Sequence, residues 1–260
     1  MKLVVTTSLG MNEALVAQAR EIAEQLQIEY QERKKRSVQL ILTKADAVLI
    51  VYQDQLILEQ QNGKRLFFHP DTAMLRIKSG RDPLLELVGS TPKTILDCTM
   101  GLASDSLVLA SGGHRVTALE SSFWTHFIVS QGLQMTDTGN IRLNQAMRSI
   151  QTVCVDSLSY LRDQPSKSVD VIYFDPMFSE DIKESENLAG LEDLANLEQV
   201  TNELVIEAKR VAREKILLKA HFRDRVFEEL GFVRHTRPNQ KFHYGEIIME
   251  GNNEDSSNRV

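Results

Sequence analysis

The run Thr94-Ile95-Leu96-Asp97-Cys98-Thr99-Met100-Gly101 constrains this chain more than any other. An apolar stretch ends in an acidic residue and a small-residue turn, then restarts with Leu102, Leu107, Val108, Leu109 and Ala110 at positions that suit a helix. The run therefore reads as strand, loop, helix. A strand that is apolar along its length is buried on both faces, as in a parallel sheet covered by helices. Asp97 then falls at the strand's carboxyl end, the edge at which open α/β sheets bind ligands. Gly112-Gly113 stop the helix, and a second strand, Arg115 to Leu119, delivers Glu120 to that same edge.

An acidic residue closing the second strand, after a glycine-bearing first turn, is the arrangement that hydrogen-bonds a ribose diol. The ligand expected is an adenosine compound. The loop lacks a full G-x-G-x-x-G and a G-x-x-x-x-G-K-[ST], which disfavours a pyrophosphate or triphosphate. An acidic strand tip repels phosphate but suits a zwitterion with a cationic centre, such as S-adenosylmethionine (SAM). Taken singly, Asp97 and Asp105 would read as a strand-end turn and an exposed helix residue.

From Thr94 onward strand-like runs recur at Ile95-Leu96, Val116 to Leu119, Thr152 to Val155, Val169 to Phe174, Ile216 to Lys219, Phe232 to His235 and Phe242 to Met249. Helical stretches run to about Ala110, through about Met135, ahead of Ile216, and from Arg223 to Leu230. The last two strands are separated only by Thr236-Arg237-Pro238-Asn239, which makes them an antiparallel pair at one edge. The fold expected is α/β, the Rossmann-like seven-stranded mixed sheet of class I SAM-dependent methyltransferases. Residues 79-250 form that domain, and residues 251-260 form a polar, disordered tail.

Residues 1-78 read as a small α/β domain. Lys2 to Thr7 is a strand, and Asn12 caps an amphipathic helix through about Leu26. Val38 to Leu42, Ala47 to Tyr52, Leu56 to Gln60 and Leu66 to Phe68 are β-rich, with Asn62-Gly63 as a hairpin turn. Arg33-Lys34-Lys35-Arg36, the densest basic run, reads by default as a solvated linker, although it could meet RNA phosphates. Ser79-Gly80-Arg81-Asp82-Pro83 supplies a turn, an Asp cap and a proline at the first helical position of the next helix.

With 260 residues the chain can bury a full core without staples. Cys98 and Cys154 both lie in apolar runs and read as buried, reduced thiols, which fits a cytoplasmic location. No apolar run is long enough to cross a membrane, and the six histidines show no metal-ligand spacing. A net charge of −6 argues against overall affinity for nucleic acid but leaves room for a local basic face.

The fourth strand, Val171-Ile172-Tyr173-Phe174, runs into Asp175-Pro176-Met177-Phe178. Alone, that tetrapeptide is an ordinary strand-ending turn. At the ligand edge of this sheet it resembles the Asp/Asn-Pro-Pro-aromatic motif of methyltransferases acting on exocyclic amines. Such an amine is a poor nucleophile because its lone pair is delocalised into the base. The Asp175 carboxylate and the Pro176 carbonyl can each accept one N–H, aiming the lone pair at the methyl group, while Phe178 stacks on the base. Asp156 follows the third strand, where it serves either the adenine or the cap of the helix from Ser157. Lys219 ends the fifth strand with His221 just past it, facing substrate or merely on the rim.

Asp97 to Leu102 with Asp105, Val108 to Gly113 with Arg115-Val116, and Tyr173 to Phe178 together resemble the RsmJ family of small-subunit ribosomal RNA guanine-N2 methyltransferases and its relatives. The resemblance runs from about Met74 to Gly245. It implies SAM bound at Asp97, Gly101, Asp105, Glu120 and Asp156, with the adjoining Thr99, Ser121 and Ser157 beside it and Arg81 near the ligand. It further implies catalysis at Asp175, Pro176 and Phe178, with Met177 and Lys219 meeting substrate. The partner implied is RNA of the small ribosomal subunit, with no metal and no membrane. Two departures stand out. The family's Gly-Leu-Gly-Arg-Asp is here Gly101-Leu102-Ala103-Ser104-Asp105, and the Pro and basic stretch that follow its motif are here the mostly acidic 179–186. Alternatives are a SAM-dependent methyltransferase of a protein or small-molecule amine or amide, and a non-catalytic SAM- or RNA-binding relative.

Overall fold

Strand β1 (Leu3–Thr7) is buried at all five positions and so needs cover on both faces. In the computed structural model of the protein, which describes residues 2–9, 12–176 and 200–250, helices on opposite faces supply it. Helix α1 (Glu13–Gln25), whose first turn is capped by the Asn12 side chain, lays Ala19, Ile22 and Ala23 on one face. Helix α2 (Val38–Leu42) lays Val38, Ile41 and Leu42 on the other, against Val4, Val48 and Ile50. Residues 38–42, expected as a strand, are thus a helix. Ser37 accepts the Leu40 N–H as its cap, and apolar residues spaced i, i+3, i+4 face a sheet together only from a helix. With β2 (Glu29–Tyr30), β3 (Ala47–Val51), β4 (Leu56–Gln60) and β5 (Arg65–Phe67) the first sheet has the order β2-β1-β3-β4-β5. Strand β1 runs parallel to both neighbours, and antiparallel hairpins join β3, β4 and β5.

Helices α3 (Asp71–Lys78) and α4 (Pro83–Val88) lead into the second sheet. Its strands and helices are β6 (Thr94–Asp97), α5 (Ser104–Ser111), β7 (Arg115–Glu120), α6 (Phe123–Met135), α7 (Ile141–Ser149), β8 (Gln151–Cys154), α8 (Ser157–Asp163), β9 (Val169–Phe174), α9 (Asn202–Val211), β10 (Ala212–His221), α10 (Val226–Glu229), β11 (Val233–His235) and β12 (Phe242–Ile248). The order is β11-β12-β10-β9-β6-β7-β8. Strand β12 runs antiparallel to both β10 and β11, and the other pairings are parallel, so the seven-stranded mixed sheet and its edge hairpin stand as expected. Helix α7, capped by Asn140, is an addition to the expected pattern. Cys98 is buried, but Cys154 is exposed, because β8 is the edge strand. The tail from residue 251 lies outside the described residues.

The two sheets share their cores. Phe127 and Ile128 of α6 pack among Val5, Leu49 and Leu58 of the first sheet, while Phe68, just past β5, packs with Leu133 in the core of the second. Helix α3 packs on α5 and buries Ala73 there. Gly132 of α6 makes this junction possible, since a Cβ built on it would lie 2.3 Å from the Phe68 Cβ. Gly132→Ala is expected to cost about 1–3 kcal/mol by overpacking. Urea unfolding with an unchanged m-value checks it, and an unaltered midpoint would refute the tight junction.

Candidate functional site

The carboxyl ends of β6, β7 and β9 lie side by side and carry Asp97, Glu120 and Asp175. Asp97 is buried and holds the loop that follows, accepting the Thr99 N–H at 3.0 Å and the Ser106 hydroxyl proton. Burial lifts its pKa to about 6, against the pull of those two hydrogen bonds. Gly101 takes φ +49 and directs its N–H to Glu120 Oε2 at 3.1 Å, while Glu120 Oε1 accepts the Ser122 N–H at 2.9 Å. A Cβ on Gly101 would meet only the Thr99 carbonyl, at 4.0 Å, so the loop leaves its outer side open to a ligand. Burial pushes the Glu120 carboxyl up. Ser121 follows it in the turn that Ser122 closes as the cap of α6.

The departure at Ala103 falls where it matters conformationally. Ala103 sits in the left-handed region at φ +59, at the start of α5, and is fully buried. Glycine adopts this geometry without strain, whereas an L side chain carries a cost of about 1–2 kcal/mol there. Burial of its methyl group among Met100, Leu107 and Val108 offsets part of that cost.

Asp105, on the first turn of α5, is the hub of the site. It is 6% exposed, accepts the Tyr173 hydroxyl at 2.7 Å and Lys219 Nζ at 3.0 Å, and pairs with the Arg76 guanidinium. Arg76, from α3, also donates to Asp82 through Nε at 2.8 Å, and Asp82 in turn caps α4 through the Leu84 N–H. Lys219 Nζ bridges onward to Asp175 Oδ2 at 2.5 Å. The Asp175 backbone N–H is held by Thr99 Oγ1 at 2.6 Å, which ties the end of β9 to the loop after β6. Across β12, Tyr244 pairs in register with Lys219 and is buried.

These contacts split the carboxylates. Burial alone would raise Asp105, but Lys219 and Arg76 hold it well below the usual carboxylate range. Burial and the Asp105 charge push Asp175 up to about 8 against the pull of Lys219, and its 29% exposed side chain leaves solvent to temper the shift. Burial would lower Lys219 and Arg76, but Asp105 holds both firmly protonated. The Tyr173 and Tyr244 hydroxyls are pushed up by burial and by Asp105.

The site therefore gathers Asp97, Thr99, Gly101, Asp105, Glu120, Asp175 and Lys219, with Pro176 buried beside them. Asp156 caps α8 through the Ser159 N–H at 2.7 Å, and the Ser157 hydroxyl donates to the Cys98 carbonyl, which ties the start of α8 to the segment just past β6. Arg81 is exposed, and the arginine among the strand-end carboxylates is Arg76. Lys219 is a partner of Asp175 inside the network and not a residue of the rim. Met177, Phe178 and the acidic 179–186 lie outside the described residues. Arg76, Asp82, Tyr173 and Tyr244 were not legible as site residues. Arg76 sits in an amphipathic helix as any solvated arginine would, and the tyrosines lie in strands that read as core. Asp105→Asn removes the charge on which Arg76 and Lys219 both depend, and should cost about 3–5 kcal/mol. Chemical denaturation checks it, and a loss under 1 kcal/mol would show that the network bears little weight.

The family model described as "Putative SAM-dependent methyltransferase" matches residues 21–230. The "Uncharacterized protein YpiP" of Bacillus subtilis is 35% identical over 252 residues, spanning 94% of this chain and 98% of that protein. The "Ribosomal RNA small subunit methyltransferase J" of Laribacter hongkongensis is 31% identical over 140 residues, 51% of this chain and 48% of that protein. Its namesake in Francisella tularensis is 30% identical over 155 residues, 57% and 63% of the two chains. A crystal structure of a SAM-dependent methyltransferase from Neisseria gonorrhoeae superposes with a TM-score of 0.60 at 18% identity, over 95% of this chain and 96% of that one, which establishes the shared fold.

Proposed function

The chain belongs to the SAM-dependent methyltransferase family, and on that premise we propose that it methylates an exocyclic amino nitrogen of a base in RNA, guanine N2 of small-subunit ribosomal RNA being the leading candidate. One observation carries the chemistry: Asp175, at the end of β9, is fixed by Lys219 and Thr99 beside the carboxylate-rich loop after β6. The RNA acceptor is supported by likeness to the two ribosomal RNA methyltransferases, each matched over less than two thirds of its length.

The residues fit SAM. Glu120, anchored by two backbone N–H groups, keeps lone pairs for a ribose diol, and the open face of Gly101 admits the cofactor close to the backbone. Asp156 and Ser157 border the adenine end. The acidic edge suits a cation and repels phosphate. When bound, SAM supplies a methyl group on a cationic sulfur that leaves as a neutral thioether and needs no acid.

The protein's task is then to prepare the amine. The Asp175 carboxylate accepts one N–H, and the Pro176 carbonyl accepts the other, which turns the nitrogen lone pair out of conjugation. The proton that the nitrogen must shed passes to Asp175, whose raised pKa makes it a better base than an ordinary carboxylate. Lys219 holds that carboxylate in place and stays protonated because Asp105 shares it.

The accepting form of Asp175 is the ionised one, so transfer is expected to rise with pH through about 8 and fall below it. Labelled methyl from SAM should enter hypomethylated small ribosomal subunits or naked RNA. Asp175→Ala should lower transfer by roughly 10²–10⁴-fold while SAM still raises thermal stability. Asp175→Asn keeps an acceptor that does not titrate, so its residual rate should lose the pH dependence. Label in protein instead of RNA would replace the acceptor, and full turnover by Asp175→Ala would remove Asp175 from the chemistry.

A further inference from the structure

The first sheet has its own ligand edge, which the methyl-transfer site does not use. The chain leaves β1 through α1 to reach β2 on one side, then passes through α2 to β3 on the other, with the two helices on opposite faces. That is a topological switch point, the place where open α/β sheets form a crevice beyond the carboxyl ends of their strands. A cavity of about 850 Å³ lies at the ends of β1 and β2, lined by Thr7, Tyr30 and the first half of α1. Its volume falls in the range of small-ligand sites.

The lining has a definite chemistry. The Tyr30 ring and the Val16 and Ala17 side chains give it an apolar wall, and the Arg20 guanidinium stands over the Tyr30 ring at 5.1 Å. Arg33, Lys34 and Lys35 come from the basic run, which is drawn up to the cavity and not left as a linker. Arg33 donates to the Thr7 carbonyl and the Arg36 carbonyl, both at 3.0 Å, which fixes this segment against the end of β1. Glu13 and Glu32 also line the cavity, and Lys34 pairs with Glu32 at 3.5 Å, so four cations face two carboxylates. The Tyr30 hydroxyl is buried and finds no hydrogen-bond partner among the described residues. That hydroxyl is therefore free to bond a ligand in the cavity.

From these observations we infer that the N-terminal cavity holds one nucleotide of single-stranded RNA, its base against Tyr30 and Arg20 and its phosphate on the basic run. Aromatic and guanidinium planes stack on unpaired bases, and Lys and Arg neutralise the backbone. The inference rests on the RNA reading of the methyl-transfer site and gives that acidic protein a local basic anchor separate from it.

Fluorescence anisotropy of a labelled short single-stranded RNA, titrated with the full chain, tests this. Binding should weaken about tenfold or more in Lys35→Glu and in Arg20→Glu, with a shallower dependence of log Kd on log salt. Tyr30→Phe, which keeps the ring, should weaken binding by a few fold through the lost hydroxyl alone. SAM-induced thermal stabilisation should persist in all three, which shows that they fold. A 4-thiouridine-substituted RNA should crosslink to the segment containing Tyr30. Unchanged RNA affinity in the three variants overturns the cavity while leaving the methyl-transfer reading intact. Displacement of the RNA by uridine monophosphate at comparable concentration assigns the cavity to a free nucleotide and also overturns it. No RNA binding by the unaltered protein does the same, and methyl transfer, measured separately, decides the other reading.

Discussion

Lys219 shares one ammonium between two carboxylates, Asp105 and Asp175, and much of the second sheet is arranged around that bridge. Asp105 comes from α5, Asp175 from the end of β9, Lys219 from β10, and the flanking Arg76 and Asp82 from α3 and the cap of α4. Segments distant in sequence must therefore close together before any of these charges finds its partner. Burying an ion is expensive, and removal of a single partner leaves another charge uncompensated. The apolar cores on the two faces of the sheet, with Leu107, Val108 and Val171 on one and Ile172, Leu218 and Phe227 on the other, supply the stability against which that cost is set.

The sequence made the strands legible and their partners illegible. A parallel strand must be apolar along its length, so β6, β7, β9 and β10 announce themselves, and the residue that ends each one is placed by counting. Asp97, Glu120 and Asp175 are placed in this way. What Asp105 touches depends on how α3 packs on α5, and nothing in Asp71–Lys78 distinguishes an arginine bound for the interior from one in water. The same limit explains the helix at 38–42. Five apolar-rich residues satisfy either period, and the choice is made by Ser37 and by the empty face of the first sheet that Val38, Ile41 and Leu42 cover.

The first sheet is more than an appendage, because its core contains Phe127 and Ile128 of α6, and Leu102 of the loop after β6 packs on both cores. Gly132 lets Phe68 approach α6 closely enough to make this a shared interior. Loop 97–105 is consequently held from two sides. That support accounts for the tolerance of a left-handed alanine at Ala103, where local preference favours glycine.

Charge arithmetic explains why two carboxylates on the same ammonium behave differently. With Arg76 and Lys219 cationic and Asp82, Asp105 and Asp175 anionic, the cluster would hold one negative charge too many. Asp105 receives Arg76, Lys219 and the Tyr173 hydroxyl, so it stays ionised and sets the charge state of both cations. Asp175 receives Lys219 alone among those three and lies within the field of Asp105, so the excess falls on it as a raised affinity for a proton. Identical side chains thus behave oppositely by environment, one a fixed structural anion and the other a carboxyl group poised to change charge state. The division needs both members: without Asp105, Lys219 would belong to Asp175 alone and pull its pKa down.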